Sequence, residues 1–484
     1  MAKKSQLVFV PCPGLSHLMS AVEFAKLLVN RNDHLSITVL IIKAPFDQAV
    51  DTYTHSLTSS SSFPNRLHFT ILPPHPVDPN PTNSRPLDLS SLLHSLIESQ
   101  KLNVRDAVSK LTSSPHSPRL VGLLVDMFCT TMMDVATEFR VPATVFFTSS
   151  AAFLGFMLHI HTLRERENVD TTAFNFKDSG FEFAIPSFDN HIPACVFPSV
   201  MLDNEWAPFF FNHASRIKKA KCVIVNTFEE LEHHAVQSFS NSDLTVYPVG
   251  PILSLRDNKK VSESDVMEWL DDQPLSSVLF LCFGSMGYFE NEDQVTEIAR
   301  ALEASGVHFL WSLRKPPPKG SVGAPSDYSN LKEVLPEGFL DRTAGIGRVM
   351  GWAPQPKILA HKAVGGFVSH CGWNSILESI YYGVPITTWP LYAEQQPNAF
   401  QMARELKMSV EMLLDYRNGF GNVTKSGLIT AERIEKGIKE VMKKESEVRK
   451  KVKQMSEISK RALVEGGSSH SYVGRFIRDI LNWE

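Results

Sequence analysis

Short apolar runs alternate along the chain with stretches whose apolar residues recur every three or four positions. Leu7–Val10 is one such run, and Leu18, Ala21, Val22, Ala25 and Leu28 follow it at helical spacing. Ser36–Ile42 comes next, rich in β-branched and aliphatic side chains. Leu67–Leu72, Leu120–Val125, Ala143–Phe147 and Cys222–Val225 continue the series. This strand–helix–strand rhythm predicts a parallel sheet with helices on both faces. It restarts in the second half with strands over Ser277–Phe283, His308–Leu313, Gly366–Ser369 and Ile386–Trp389, and a helix containing Val295–Leu302. Between the halves, Pro248–Ser262 carries Gly250, Pro251 and the polar run Arg256–Lys260, which suits a linker. The expected fold is α/β, with two doubly wound halves and a cleft between them. The expected division is a first domain over 1–248, a linker over 249–262, a second domain over 263–460, and a terminal helix over 461–484 that packs back on the first domain. Ser56–Asn65, Pro73–Pro86 and Lys315–Asn330 read as surface loops, and the charged stretch Glu432–Leu463 as a solvated helix face.

Composition narrows the class of protein. The chain has 484 residues, 43% of them hydrophobic, enough for two real cores. Lys and Arg number 48 against 52 Asp and Glu, a net charge of -4, so no large positive field exists to hold nucleic acid or an anionic membrane. The six cysteines are scattered without a C-x-x-C pair, which fits free thiols in a reducing compartment. Lys3 and Lys4 precede an apolar run that stops at Pro11, too short for a signal peptide. No apolar run nears the roughly 20 residues that span a bilayer. The expectation is a cytoplasmic protein with no membrane anchor, acting as a monomer.

Three neighbouring stretches carry candidate chemistry. The strand ending at Ser369 is followed by His370-Cys371-Gly372-Trp373-Asn374-Ser375 and then by helical spacing at Ile376, Leu377 and Ile380. Small and polar residues there leave backbone N–H groups at a helix N-terminus, a site for a diphosphate. Glu378 lies one turn after Asn374, where a carboxylate can accept two hydrogen bonds from a ribose diol. Upstream, Gly351-Trp352-Ala353-Pro354-Gln355 follows the short strand Val349–Met350 and offers a flat ring for a base. Downstream, Glu394-Gln395 at a strand exit can bind sugar hydroxyls. Each piece alone also fits an ordinary capped helix, a core tryptophan or a solvated loop.

Taken together, Trp352 through Gln395 resembles the signature box of plant uridine-diphosphate-dependent glycosyltransferases of the secondary-metabolite branch. Trp352, Gln355, His370, Trp373, Asn374, Ser375, Glu378 and Gln395 all fall at its spacing. Phe283-Gly284-Ser285-Met286-Gly287, Asn226-Thr227-Phe228-Glu229-Glu230-Leu231 and Leu335-Pro336-Glu337-Gly338-Phe339 extend the likeness over nearly the whole chain. The resemblance implies the glycosyltransferase B-type fold. It implies that Trp352 stacks on uracil, that Ala353 meets its edge, and that Glu378 holds the ribose. His370, Asn374, Ser375 and Ser285 would hold the diphosphate, and Glu394 and Gln395 the sugar. The family more often has Asp where Glu394 stands. Its final Gln is associated with glucose, so Gln395 implies UDP-glucose as co-substrate.

Transfer to a hydroxyl needs a base. His17 follows the first strand and opens a helix, which places it at the carboxyl edge of the sheet, where doubly wound folds bind ligands. Asp126 ends the run Leu120–Val125 on the same edge, where it can orient the imidazole. The resemblance assigns these two the catalytic roles, although Ser16 and Ser20 stand where the family commonly has Gly and Pro. No D-x-D and no His/Cys cluster occurs, so no metal and no bound cofactor is expected. Phe128, Phe147 and Ser149 lie near the expected cleft edge and are the candidate acceptor contacts. Aromatic lining suits a flavonoid or other phenolic. A terpenoid or hormone-like acceptor gives the same sequence picture. The rival readings are a non-catalytic metabolite-binding protein, against which the His17–Asp126 pair speaks, and a nicotinamide oxidoreductase, for which no G-x-G-x-x-G is present.

Overall fold

The computed structural model describes residues 4–43, 48–59, 65–74, 89–173, 175–254, 262–318, 323–418 and 426–483. The linker's polar run 256–260, most of the Pro-rich stretch 73–86 and half of the Ser-rich stretch 56–65 lie outside them. The chain forms two compact units. One comprises Met1–Asp170, Glu205–Ser254 and Ala462–Glu484, and the other Thr171–Asn204 and Leu255–Arg461.

The first unit is built on seven parallel strands: β1 (Ser5–Val10), β2 (Leu35–Ile41), β3 (Leu67–Ile71), β4 (Arg119–Asp126), β5 (Ala143–Phe147), β6 (Cys222–Val225) and β7 (Val246–Pro248). Their order is β3-β2-β1-β4-β5-β6-β7. Every residue of β1 and all but one of β2 are buried, because helices cover both faces of a parallel sheet. The apolar runs are therefore continuous rather than alternating. Strand order reverses between β1 and β4, whose carboxyl ends are level, with Val10 beside Val125. A crevice opens at such a reversal. Helix α1 (Leu15–Arg31) leaves β1, α2 (Ala151–Glu167) follows β5, and α3 (Trp206–Ile217) contains Phe209–Phe211.

The second unit repeats the plan with β8 (Val278–Cys282), β9 (His308–Ser312), β10 (Gly347–Met350), β11 (Val364–Ser369), β12 (Ile386–Thr388) and β13 (Ser409–Val410), ordered β10-β9-β8-β11-β12-β13. The reversal falls between β8 and β11, where Cys282 lies beside Ser369. Helix α4 (Trp373–Tyr382) springs from β11 and ends at Gly383, whose φ of 74° suits a residue without a Cβ. The edge strands β7 and β13 escape a search for periodicity because they have three and two residues.

Two segments join the unit that is distant in sequence. Helix α5 (Ser468–Asn482) belongs to the first unit. Its Phe476 is fully buried with ring centroids 6.3 Å from Phe24 and 5.6 Å from Tyr247, and Ser469 Oγ donates to Gly250 O at 2.6 Å. Burying one such phenylalanine contributes about 1.5–3 kcal/mol. Thr171–Asn204, which lies inside the 1–248 span expected of the first domain, clusters instead with the second unit. Buried Arg417 is a physical reason: its guanidinium donates to Ser199 Oγ at 2.8 Å and to Cys195 O and Phe197 O at 2.7 Å each. Glu405 accepts from the backbone N–H groups of Asp189 and Asn190 at 2.7 and 3.0 Å. Among the described residues, no helix is long and apolar enough to cross a membrane.

Candidate active site

In the first unit, β1 and α1 are joined by a short turn that brings His17 into the helix's first turn, and Asp126 is the last residue of β4. The reversal of strand order puts them together. His17 Nδ1 lies 2.8 Å from Asp126 Oδ2 and 3.2 Å from Thr148 Oγ1. Asp126 is fully buried, and its Oδ1 accepts from Phe128 N at 3.0 Å. Both carboxylate oxygens are thus engaged and the group is held rigidly. A carboxylate accepts the Nδ1 proton, which leaves the lone pair of the neutral ring on Nε2. The His17 side chain remains 23% exposed. Phe128 stands 5.6 Å from the His17 ring, stacks on Phe209 at 5.8 Å and meets Phe210 edge-on at 5.7 Å. Behind this wall lies His213, 4.4 Å from Phe209 and 2.7 Å from Thr130 Oγ1. Burial pushes its pKa down to about 3, so it is neutral. Of the other two expected acceptor contacts, Phe147 is fully buried and Ser149 is 3% exposed.

The second unit gathers its candidates at the carboxyl ends of β8, β10, β11 and β12. His370 follows β11 directly. A Cβ on Gly284 (φ 80°) or on Gly372 would come within 2.5 Å of its Nε2, so the ring is wedged between two backbones that only glycine permits to approach so closely. Burial lowers the His370 pKa to about 4, which makes it a neutral group. Gly372, at the N-cap of α4, has no side chain to offer the first turn. Asn374 and Ser375 open the helix there, and Ser285 lies exposed in the loop after β8. Gln355 Nε2 donates to Ser375 Oγ and to Glu378 Oε2, both at 2.7 Å. Burial raises the Glu378 pKa to about 7, and the Gln355 hydrogen bond opposes that rise. Trp352 is 42% exposed after β10, while Ala353 is buried beside it. This is a cradle of donors with one carboxylate, flanked by an exposed indole ring.

Comparison with known proteins matches this geometry to a family. The family model described as "UDP-glucoronosyl and UDP-glucosyl transferase" matches residues 255–465. The chain is 52% identical to UDP-glucose flavonoid 3-O-glucosyltransferase 6 of Fragaria ananassa, over 99% of both chains. It belongs to the UDP-dependent glycosyltransferases. Solved structures agree on the fold. A transferase from Siraitia grosvenorii in complex with UDP superimposes with a TM-score of 0.88 at 45% identity, covering 99% of this chain and 100% of that one. Medicago truncatula UGT71G1 with UDP-glucose gives 0.84 at 39%, covering 99% and 98%. The fold is thus the B type of plant glycosyltransferases, as the sequence box implied.

Further contacts of this glycosyltransferase bear on its site residues. Trp373 is 2% exposed, so its ring is packed in the core. Gln395 is 3% exposed, and its Oε1 accepts from Leu391 N at 2.8 Å and Tyr392 N at 3.0 Å. It therefore braces the loop that carries Glu394, which is half-buried. Asp327 was not anticipated: its Oδ1 accepts from Trp352 N at 2.9 Å and lies 3.0 Å from Arg314 Nε. A Cβ on Gly351 would come within 2.5 Å of the same carboxylate. Asp327 sits in a two-stranded hairpin, Arg314–Lys315 with Ser326–Asp327, within a stretch that reads as loop. Thr148 was likewise missed as a partner of His17. Cys12, whose thiol lies with the His17 and Asp126 ligand atoms within 4.8 Å of one another, completes the one grouping of metal-ligating side chains among the described residues.

Proposed function

We propose that this enzyme transfers glucose from UDP-glucose to a hydroxyl of a small flat phenolic, such as a flavonoid, with inversion to a β-glucoside. The observation that carries the reading is the 2.8 Å contact of His17 Nδ1 with fully buried Asp126 at the strand-order reversal of the first unit. His17 Nε2 takes the acceptor proton as the oxygen attacks the anomeric carbon, and Asp126 stabilises the imidazolium that forms. Proton transfer of this kind contributes roughly 10²–10⁴-fold. UDP leaves as the bond from the anomeric carbon to its phosphate oxygen breaks. In the second unit, Trp352 stacks on uracil, Ala353 meets its edge and Glu378 accepts from the ribose diol. His370, Asn374, Ser375 and Ser285 meet the diphosphate. The partial positive charge of the α4 N-terminus stabilises the charge developing there, without a metal ion in the step. Glu394 and Gln395 hold sugar hydroxyls, and the Gln395 carbonyl oxygen also fixes the loop.

The aromatic wall of Phe128, Phe209 and Phe210 beside His17 supports a flat apolar acceptor, as does the flavonoid named for the Fragaria relative. We further place the enzyme in the cytoplasm as a monomer. The cysteines, which are free thiols, suit a reducing compartment. The test is incubation with UDP-glucose and a panel of flavonols, simple phenols and terpenoid alcohols, read by product mass. A phenolic product heavier by one hexosyl unit is expected. Binding of UDP-glucose with no product from any acceptor would instead support a metabolite-binding protein.

A further inference from the structure

We infer that Cys12, His17 and Asp126 form a binding site for Zn²⁺, and that its occupation switches sugar transfer off. The three ligand atoms lie within 4.8 Å of one another. A tetrahedral zinc with bonds of about 2.0–2.3 Å sets its ligands roughly 3.3–3.8 Å apart, so movements of about an ångström close the site. The donor set is sulfur, nitrogen and carboxylate oxygen, the usual company of a zinc ion that keeps one position open. Cys12 is 4% exposed and Asp126 is fully buried, while the His17 side chain, at 23%, provides the approach and the open position. The buried Cys129 thiol lies close to that of Cys12, which places a second sulfur near the first.

Charge favours this occupant. Binding releases the Cys12 proton to solvent and forms a Zn–S bond, so thiolate and carboxylate together cancel the two charges of the ion. A neutral complex suits a buried site, whereas hard Mg²⁺ has no preference for the sulfur. Coordination removes the base whichever ring nitrogen binds. If Nε2 binds, its lone pair is taken. If Nδ1 binds, the single proton of the neutral ring must reside on Nε2. Metal binding itself is independent of the role given to His17, and only the loss of activity rests on that reading.

The experiment uses the full chain after removal of metal with a chelator. Co²⁺ replaces Zn²⁺ as the spectroscopic probe, without nucleotide present. A thiolate-to-cobalt charge-transfer band is expected at one ion per chain, displaced by Zn²⁺ and absent in Cys12→Ala and in Cys12→Ser, whose side chain is nearly the size of the thiol. In the activity assay, buffered Zn²⁺ should inhibit the wild type reversibly with EDTA. Mg²⁺ should not. The Cys12→Ala enzyme should retain its basal rate within about twofold and need at least about tenfold more Zn²⁺ for half-inhibition. Absence of the band, or its persistence in Cys12→Ser, overturns the metal site even if Cys12→Ala fails to fold. Equal zinc sensitivity of wild type and Cys12→Ala overturns it too. A wild-type band without inhibition overturns the coupling to catalysis and counts against His17 as the base.

Discussion

Glu378 offers a quantitative test of the nucleotide site. A ribose diol donates two hydrogen bonds, and only the ionised carboxylate accepts both without competition from its own proton. Burial raises the Glu378 pKa to about 7, against the Gln355 hydrogen bond that favours the charged form. The free enzyme therefore holds Glu378 mostly protonated at pH 6 and mostly ionised at pH 8. The apparent Kd scales as one plus the ratio of protonated to ionised forms. That factor is about 11 at pH 6 and about 1.1 at pH 8, so affinity should rise about tenfold, or about 1.4 kcal/mol, over the interval. The direction follows from the sign: deprotonation creates the acceptor, so binding strengthens as pH increases. Calorimetric titration with UDP-glucose is the suitable assay, because its diphosphate is esterified at both ends and does not itself titrate in this range. Glu378→Gln should bind more weakly at pH 8, by the roughly 1.5–3 kcal/mol of a charged hydrogen bond, and should lose the pH dependence. Equal wild-type affinity at pH 6 and pH 8, or a tenfold dependence that survives in Glu378→Gln, would refute the assignment of the ribose to this carboxylate.

Asp327→Ala removes the acceptor that fixes the Trp352 backbone, so the KM for UDP-glucose should rise about three- to tenfold, the cost of one hydrogen bond of about 1 kcal/mol, with kcat nearly unchanged in steady-state kinetics. A fall in kcat at constant KM would contradict a positioning role. Arg417→Ala leaves Cys195 O and Phe197 O without their buried partner and should destabilise the second unit by about 1–3 kcal/mol, the cost of an unsatisfied buried acceptor, in a urea titration. A midpoint unchanged from wild type would show that other contacts hold Thr171–Asn204 in place. Asp126→Asn should depress kcat by at least about a hundredfold while the KM for UDP-glucose stays within about twofold, since the amide can hold the imidazole in the wrong tautomer. A change confined to KM would argue that Asp126 serves binding instead.

How much of this was legible in the sequence depended on how local each cause was. The parallel strands were readable because both faces of each sheet are covered, which turns β1 or β8 into an unbroken apolar run. The turn after β11 was readable because His370, Asn374, Ser375 and Glu378 lie within a few residues of one another on a single strand–helix connection. Burial was harder. Phe147 ends a strand near the expected cleft edge, yet packing sinks its ring into the interior, as it does that of Trp373. Gln395 reads as a sugar contact, and the sequence gives no sign that its carbonyl oxygen also holds its own loop. Contacts over long separations left no local signal. Arg417 reaches back 218 residues to Ser199, which is why Thr171–Asn204 counts with the second unit rather than with the chain around it. Asp327 reaches Trp352 from a stretch whose prolines and glycines suggest only a loop. The His17–Asp126 pair is also distant in sequence, 109 residues apart, but both residues sit at strand exits, and strand exits on one sheet share an edge.

The most direct measurement compares glucoside formation by wild type and His17→Ala at saturating UDP-glucose and acceptor, with the Kd for UDP-glucose determined on the same preparations. If His17 Nε2 is the base, kcat should fall by roughly 10²–10⁴-fold while the Kd stays within about twofold of wild type. A His17→Ala enzyme that transfers glucose at the wild-type rate would contradict the assignment of the base.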